Sequence, residues 1–238
     1  MTLYLIGLGL DNEHDISLKG FDILNTCTTI YYEEYTSRLH CTLDDLQTCY
    51  AKPITPLSRT ELEHRIPAIV QEAQHNNIAV LIIGSPLSAT THMEFIIHAR
   101  THNVAYQVIE AGSIYSAVAI TGLFLYKFGR TTTIPFANDN VTSPYDIYKD
   151  NAQRSLHTLF LLDITTDKLM TVREGLDYLI NQGLDPNTLC VGCGALGSAQ
   201  PEIKTGTAQH LTITSFPQSL IIPGKLNFKE EEALNLWT

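Results

Sequence analysis

Two α/β domains are what this sequence predicts, and three observations carry the reading. Short apolar runs alternate with amphipathic stretches from one end of the chain to the other, the pattern of crossovers covering a mostly parallel sheet on both faces. The pattern breaks once, across "KFGRTTTIPFANDNVTSPYD" (127–146), where glycine, a run of threonines, two prolines and two asparagines interrupt the helical periodicity. The 238 residues, 44% hydrophobic and 17% charged, suffice for one large core or two small ones. The boundary is expected near 128–132.

Taken in order, the strand candidates of the first half are 2–7, 28–33, "IAVLII" (78–83) and "VAYQVI" (104–109). Between them lie helical patterns at 18–27, 59–77 and 91–103. In the long one, Leu62, Ile66, Ile69, Val70 and Ala73 recur at the spacing of one helix face. The second half offers a strand at 157–164, a helix at about 171–182, and strands at 188–196 and 218–224. No apolar run reaches the roughly 20 residues that span a bilayer. Residues 2–10 have neither the basic flank nor the cleavage site of a leader, so a cytoplasmic protein is expected.

Five cysteines, Cys27, Cys41, Cys49, Cys190 and Cys193, follow no metal-ligand spacing. Cys190 and Cys193 form a CxxC inside the apolar run "TLCVGCGAL", with no second pair and no close histidine. On a strand the two would face opposite ways, so buried free thiols are expected and no metal site. The net charge of −10 argues against a sequence-independent grip on nucleic-acid phosphates.

Ligands of open α/β sheets bind beyond the carboxyl ends of strands. Four segments there are rich in small residues: "GLGLD" (7–11), "GSPLSATTH" (84–92), "EAGSIYSA" (110–117) and "GALGSAQPE" (194–202). None concentrates Lys or Arg, so the expectation is a compact cofactor held by backbone and small side chains. The first loop is not a dinucleotide fingerprint. Gly7 and Gly9 lack the third glycine, and Asp11, Glu13 and Asp15 stand where an anion would bind. His64, His75, His98 and His102 read as solvated helix faces.

"LYLIGLGL", "DISLKG", "EEYTS", "GSPLSATTH", "SIYSAVAITGL", "YKFG", "LHTLFLLDI" and "IIPGKL" follow one another in that order from Leu3 to Leu226. Together they resemble the diphthine synthase branch of the tetrapyrrole methylase superfamily, nearest its archaeal members. The resemblance implies a two-domain class III methyltransferase, here divided as 1–129 and 130–238, with a mostly parallel sheet followed by a mixed one. It implies a homodimer with S-adenosylmethionine in the cleft between domains, and translation elongation factor 2 as protein substrate. The acceptor is the amino group of a 3-amino-3-carboxypropyl histidine, methylated towards diphthine.

Carried over by position, cofactor contacts fall on Leu10, Ser113, Ile114, Leu162 and Leu196. Ser85 and Ser88 stand where the family has Asp and Val, and Gln218 where it commonly has His; all three are counted as cofactor-binding, since Ser and Gln still form hydrogen bonds. The segment 203–218 is shorter than the family's. Glu34, Tyr35, His92 and Tyr115 lie near the same strand ends, and none is given a catalytic role. The acidic charge suits a basic docking tip on the elongation factor. Two other readings stay open at this stage: a sister corrin-precursor methylase, and a non-catalytic protein that binds the cofactor or the elongation factor.

Overall fold

The computed structural model describes residues 1–165 and 167–238. Contacts divide the chain into two compact units, Met1–Ile114 and Tyr115–Thr238.

The first unit is built from β1 (Thr2–Gly7), α1 (Leu18–Thr26), β2 (Thr29–Glu33), α2 (Leu43–Tyr50), β3 (Thr55–Leu57), α3 (Arg59–Glu72), β4 (Ile78–Ile82), α4 (Met93–Thr101) and β5 (Ala105–Ile109). Its five strands are all parallel, in the order β3-β2-β4-β1-β5. The inner strands β1, β2 and β4 are buried on both faces, β4 throughout, which is why β1 and β4 read as continuous apolar runs. Leu3, Leu5, Ile78, Val80 and Ile82 join the α3 stripe in one core. Ile6, Leu8, Ile30, Ala79 and Leu81 join Leu24 and Tyr50 in the other. Alternate residues of one strand thus feed opposite layers. The expected stripe of α3 is wholly buried, while His64, His75 and His102 are exposed and His98 is half-buried.

The division falls within α5 (Ile114–Ala117), and the second unit continues with β6 (Thr132–Ile134), α6 (Ser143–Gln153), β7 (Thr158–Leu162), α7 (Val172–Asn181), β8 (Leu189–Gly194), β9 (Glu202–Thr207), β10 (Gln218–Ile222) and α8 (Phe228–Leu234). The strand order is β6-β7-β10-β8-β9, with β6 parallel to β7 and the other pairs antiparallel. That is the mixed sheet expected. Phe160, Cys190, Leu220 and Ile222 pack against Val172, Leu176 and Leu179 of α7. Cys190 and Cys193 are buried free thiols, and burial pushes each up to about 12.

The division between compact units precedes the expected 129/130. Residues between carry contacts to the far end of the chain: the Phe124 amide donates to Glu230 at 3.1 Å, Lys127 pairs with Glu230, and the Trp237 indole donates to the Thr121 carbonyl. The break in periodicity marks where a new strand starts, not where these contacts change sides.

Candidate active site

In the first unit, the connection from β1 runs to β2 on one side and that from the neighbouring β4 runs to β5 on the other, so the strand order reverses at β1, beside β4. Such a point is where open parallel sheets hold ligands. The loops after β4, β1 and β5 lie side by side there. Gly9 and Gly84 exchange backbone hydrogen bonds, 3.3 Å one way and 2.7 Å the other. Both sit at φ +77°, where a side chain would be strained. A Cβ on Gly7 would stand 2.6 Å from the Gly84 carbonyl oxygen and 2.8 Å from the Ala111 methyl. Glycine at 7 is therefore what lets the three loops close up.

Above them the space is open. A Cβ on Gly112 would meet nothing nearer than the Gly9 Cα at 4.0 Å, and one on Gly84 would approach the Leu10 side chain at 3.8 Å and the Gly112 carbonyl at 3.9 Å. The result is a crevice floored by the backbone of Gly9, Gly84 and Gly112 and bordered by the Leu10 side chain.

Its amides are partly spoken for. Asp15 accepts from the Leu10 amide at 3.1 Å and from the Asp11 amide at 2.8 Å. The donors that would seat a phosphate are satisfied by the chain's own carboxylate, as the acidic loop predicted.

Five of the expected cofactor residues gather at this edge. Leu10 follows the Gly9 turn. Ser85 is buried, and its carbonyl accepts from the Ser88 amide at 3.0 Å. Ser113 is buried beside Gly112, and Ile114 follows it. The Ser85 hydroxyl donates to the carboxylate of Glu110, the residue that follows β5.

The other three expected residues lie in the second unit, at one edge of its sheet. Leu162 closes β7, Leu196 lies two residues past β8, and Gln218 opens β10. The register pairs Gln218 with Gly194, and the Ala195 amide donates to the Pro217 carbonyl at 2.9 Å. The Gln218 side chain is already engaged at both ends. Its oxygen accepts from the Val172 amide at 2.6 Å, and its nitrogen donates to the Ile213 carbonyl at 2.9 Å.

Of the residues near the strand ends, His92 is buried at the N-cap of α4 and holds its loop. Its Nδ1 lies 2.7 Å from the Thr90 hydroxyl, and its Nε2 lies 3.4 Å from the Tyr35 hydroxyl. Burial pushes its pKa down to about 4, against a smaller upward pull from the Pro86 backbone. Glu34 is exposed. Its neighbour Glu33, passed over in the sequence, is the buried carboxylate. It accepts from the amides of Ile83 (3.3 Å), Thr36 (3.2 Å) and Tyr35 (3.4 Å), and from the Thr36 hydroxyl. Glu33 and Glu110 were both missed. No periodicity singles out a carboxylate at or just past the end of a strand.

A family model described as Tetrapyrrole (Corrin/Porphyrin) Methylases matches residues 2–212. A curated diphthine synthase from Methanococcus maripaludis (strain C6) is 39% identical over 247 residues, covering 98% of this chain and 97% of the relative. The chain belongs to the diphthine synthase branch of the tetrapyrrole methylase family. It is a methyltransferase. A second diphthine synthase, from Methanocaldococcus jannaschii, is 39% identical over 249 residues, with 98% and 97% covered. A crystal structure of diphthine synthase matches with a TM-score of 0.94 at 27% identity, covering 100% of this chain and 96% of that one. The two-unit architecture, a parallel sheet followed by a mixed one, is thus that of a diphthine synthase.

Proposed function

We propose that this methyltransferase uses S-adenosylmethionine to methylate the amino group of a 3-amino-3-carboxypropyl histidine on translation elongation factor 2. The observation that carries the reading is the open, glycine-floored crevice at the β1 reversal, whose first-loop amides Asp15 has already taken. Such a crevice refuses a pyrophosphate and admits a compact cofactor that carries positive charge. The residues fit that cofactor: an unblocked floor at Gly112 and hydroxyls at Ser85, Ser88 and Ser113. The identity of the diphthine synthase relatives supports the substrate.

When bound, the cofactor supplies a methyl group activated by its sulfonium. The chain's residues align the partners. Leu10, Ser113 and Ile114 hold the crevice edge, and Ser85 and Ser88 hydrogen-bond to the cofactor. In the second unit, Leu162 and Leu196 are buried at the end of the sheet, and Gln218 holds the start of α7 and the Ile213 segment in place. Orientation of this kind is worth several kcal/mol of barrier. The acceptor amine attacks in its neutral form, which a site poor in water favours by desolvation. No side chain is assigned as base. His92 is committed to its loop and stays neutral at physiological pH.

The buried free cysteines suit a reducing, cytoplasmic setting, and the −10 charge suits a basic docking tip on the elongation factor. A homodimer completes this reading. Its test is incubation with labelled S-adenosylmethionine and elongation factor 2 carrying the aminocarboxypropyl histidine, read by intact mass. Addition of methyl groups is expected. No mass gain with the cofactor site saturated overturns the substrate.

A further inference from the structure

We propose that Glu110, held in place by Ser85, is a specificity residue that reads the vicinal ribose hydroxyls of the cofactor. This rests on the crevice being the S-adenosylmethionine site, and it adds a residue that neither motif nor family position marks.

Glu110 follows β5 directly, two residues before Gly112, and its side chain is exposed at the rim. The carboxylate is not loose. The buried Ser85, next to Gly84 on the neighbouring loop, donates its hydroxyl proton to Oε2. Gly84 and Gly112 are the two positions above which the crevice is open, so the couple stands beside the space a ligand would fill.

Its chemistry is distinctive. Ser85 spends its only proton on Glu110, so the couple offers acceptors alone: the lone pairs of the serine oxygen and the second carboxylate oxygen. Adjacent acceptors with one negative charge repel phosphate and match two donors on neighbouring atoms. The vicinal hydroxyls of the ribose are such a pair in the cofactor. A charged acceptor makes the stronger class of hydrogen bond and penalises a ligand that lacks the hydroxyls. The carboxylate that the family carries at position 85 is in this way supplied from position 110.

Isothermal titration of the full chain with S-adenosylhomocysteine and with 5′-methylthioadenosine separates the outcomes, because the second keeps the ribose hydroxyls and lacks the amino acid. Glu110→Gln is expected to weaken both by about tenfold and to the same extent. Ser85→Ala is expected to weaken both as well, and the double variant to lose less than the two single losses combined, since each acts through the other. The ligand-free melting temperature of Glu110→Gln should match the parent, as its side chain is exposed. A loss confined to S-adenosylhomocysteine would assign the carboxylate to the ammonium and overturn the inference. Unchanged affinity for both would overturn it while leaving the proposed function standing. Failure of the parent chain to bind S-adenosylhomocysteine would overturn the proposed cofactor, and this inference with it.

Discussion

Glu33 accepts the amide hydrogen of Ile83 at 3.3 Å, tying the end of β2 to the segment that delivers Ser85 to the crevice. The same carboxylate takes the amides of Tyr35 and Thr36 on its other oxygen. Burial pushes its pKa up, against the opposing pull of these hydrogen bonds. Glutamine would turn an NH2 donor towards one set of backbone donors. Glu33→Gln should therefore destabilise the chain by about 1–3 kcal/mol, measured as a lower urea midpoint with an unchanged slope. An unshifted midpoint would show that the carboxylate is dispensable.

His92 sets a pH dependence. Its folded pKa is about 4 against 6.5 for the free side chain, so between those values the unfolded chain binds the extra proton. The neutral ring's contribution is complete above pH 6.5 and is lost as pH falls towards 4, to about 3 kcal/mol in all. His92→Gln should melt less steeply with falling pH over that window than the parent. Parallel melting curves against pH would contradict the assignment.

Much of the fold was legible because burial wrote it into the sequence. The α3 stripe and the two-faced strands β1 and β4 follow directly from hydrophobic order. What escaped was short or polar. β3 has three residues and β9 reads "EIKTGT", an edge strand with little apolar content. α2 and α8 were legible in principle, through the capping boxes Thr42–Asp45 and Asn227–Glu230. Leu10 and Ser113 come from the family resemblance, at strand ends that the hydrophobic order also marks. Glu33 and Glu110 do not. Their roles are set by which loops the strand order brings together, and that order is absent from local pattern.

In the second unit Glu230 gathers four partners. Its carboxylate pairs with Lys127, meets His157 Nε2 at 2.9 Å, and accepts the amides of Asn227 at 3.0 Å and Phe124 at 3.1 Å. His157 Nδ1 accepts from the Gly224 amide, so its proton sits on Nε2 and points at Glu230. Burial alone would raise the Glu230 pKa, but Lys127 and the amide donors outweigh it and hold it at about 2. The stability this gives is present above about pH 4.5 and lost as pH falls through 2, about 3 kcal/mol in total. Glu230→Gln should cost a comparable amount at pH 7, since it leaves Lys127 without its counter-charge, and should flatten the acid limb of the stability curve. Denaturant midpoints from pH 7 to pH 2 measure both.

Gly7 and Gly112 border the same crevice, and alanine should do opposite things at the two. At Gly7 the new methyl would stand 2.6 Å from the Gly84 carbonyl and 2.8 Å from Ala111. Backbone cannot yield as a flexible side chain does, so the β1 and β4 loops must part, at about 1–3 kcal/mol. Gly7→Ala should lower the melting temperature even without ligand. At Gly112 the methyl has room, with Gly9 Cα at 4.0 Å, and it projects into space that the cofactor is proposed to fill. Gly112→Ala should melt like the parent and bind S-adenosylhomocysteine about tenfold more weakly, the cost of a poorly accommodated methyl. Thermal melts and titrations on the two variants separate folding from binding. Equal binding by Gly112→Ala and the parent would move the cofactor away from the β1 reversal.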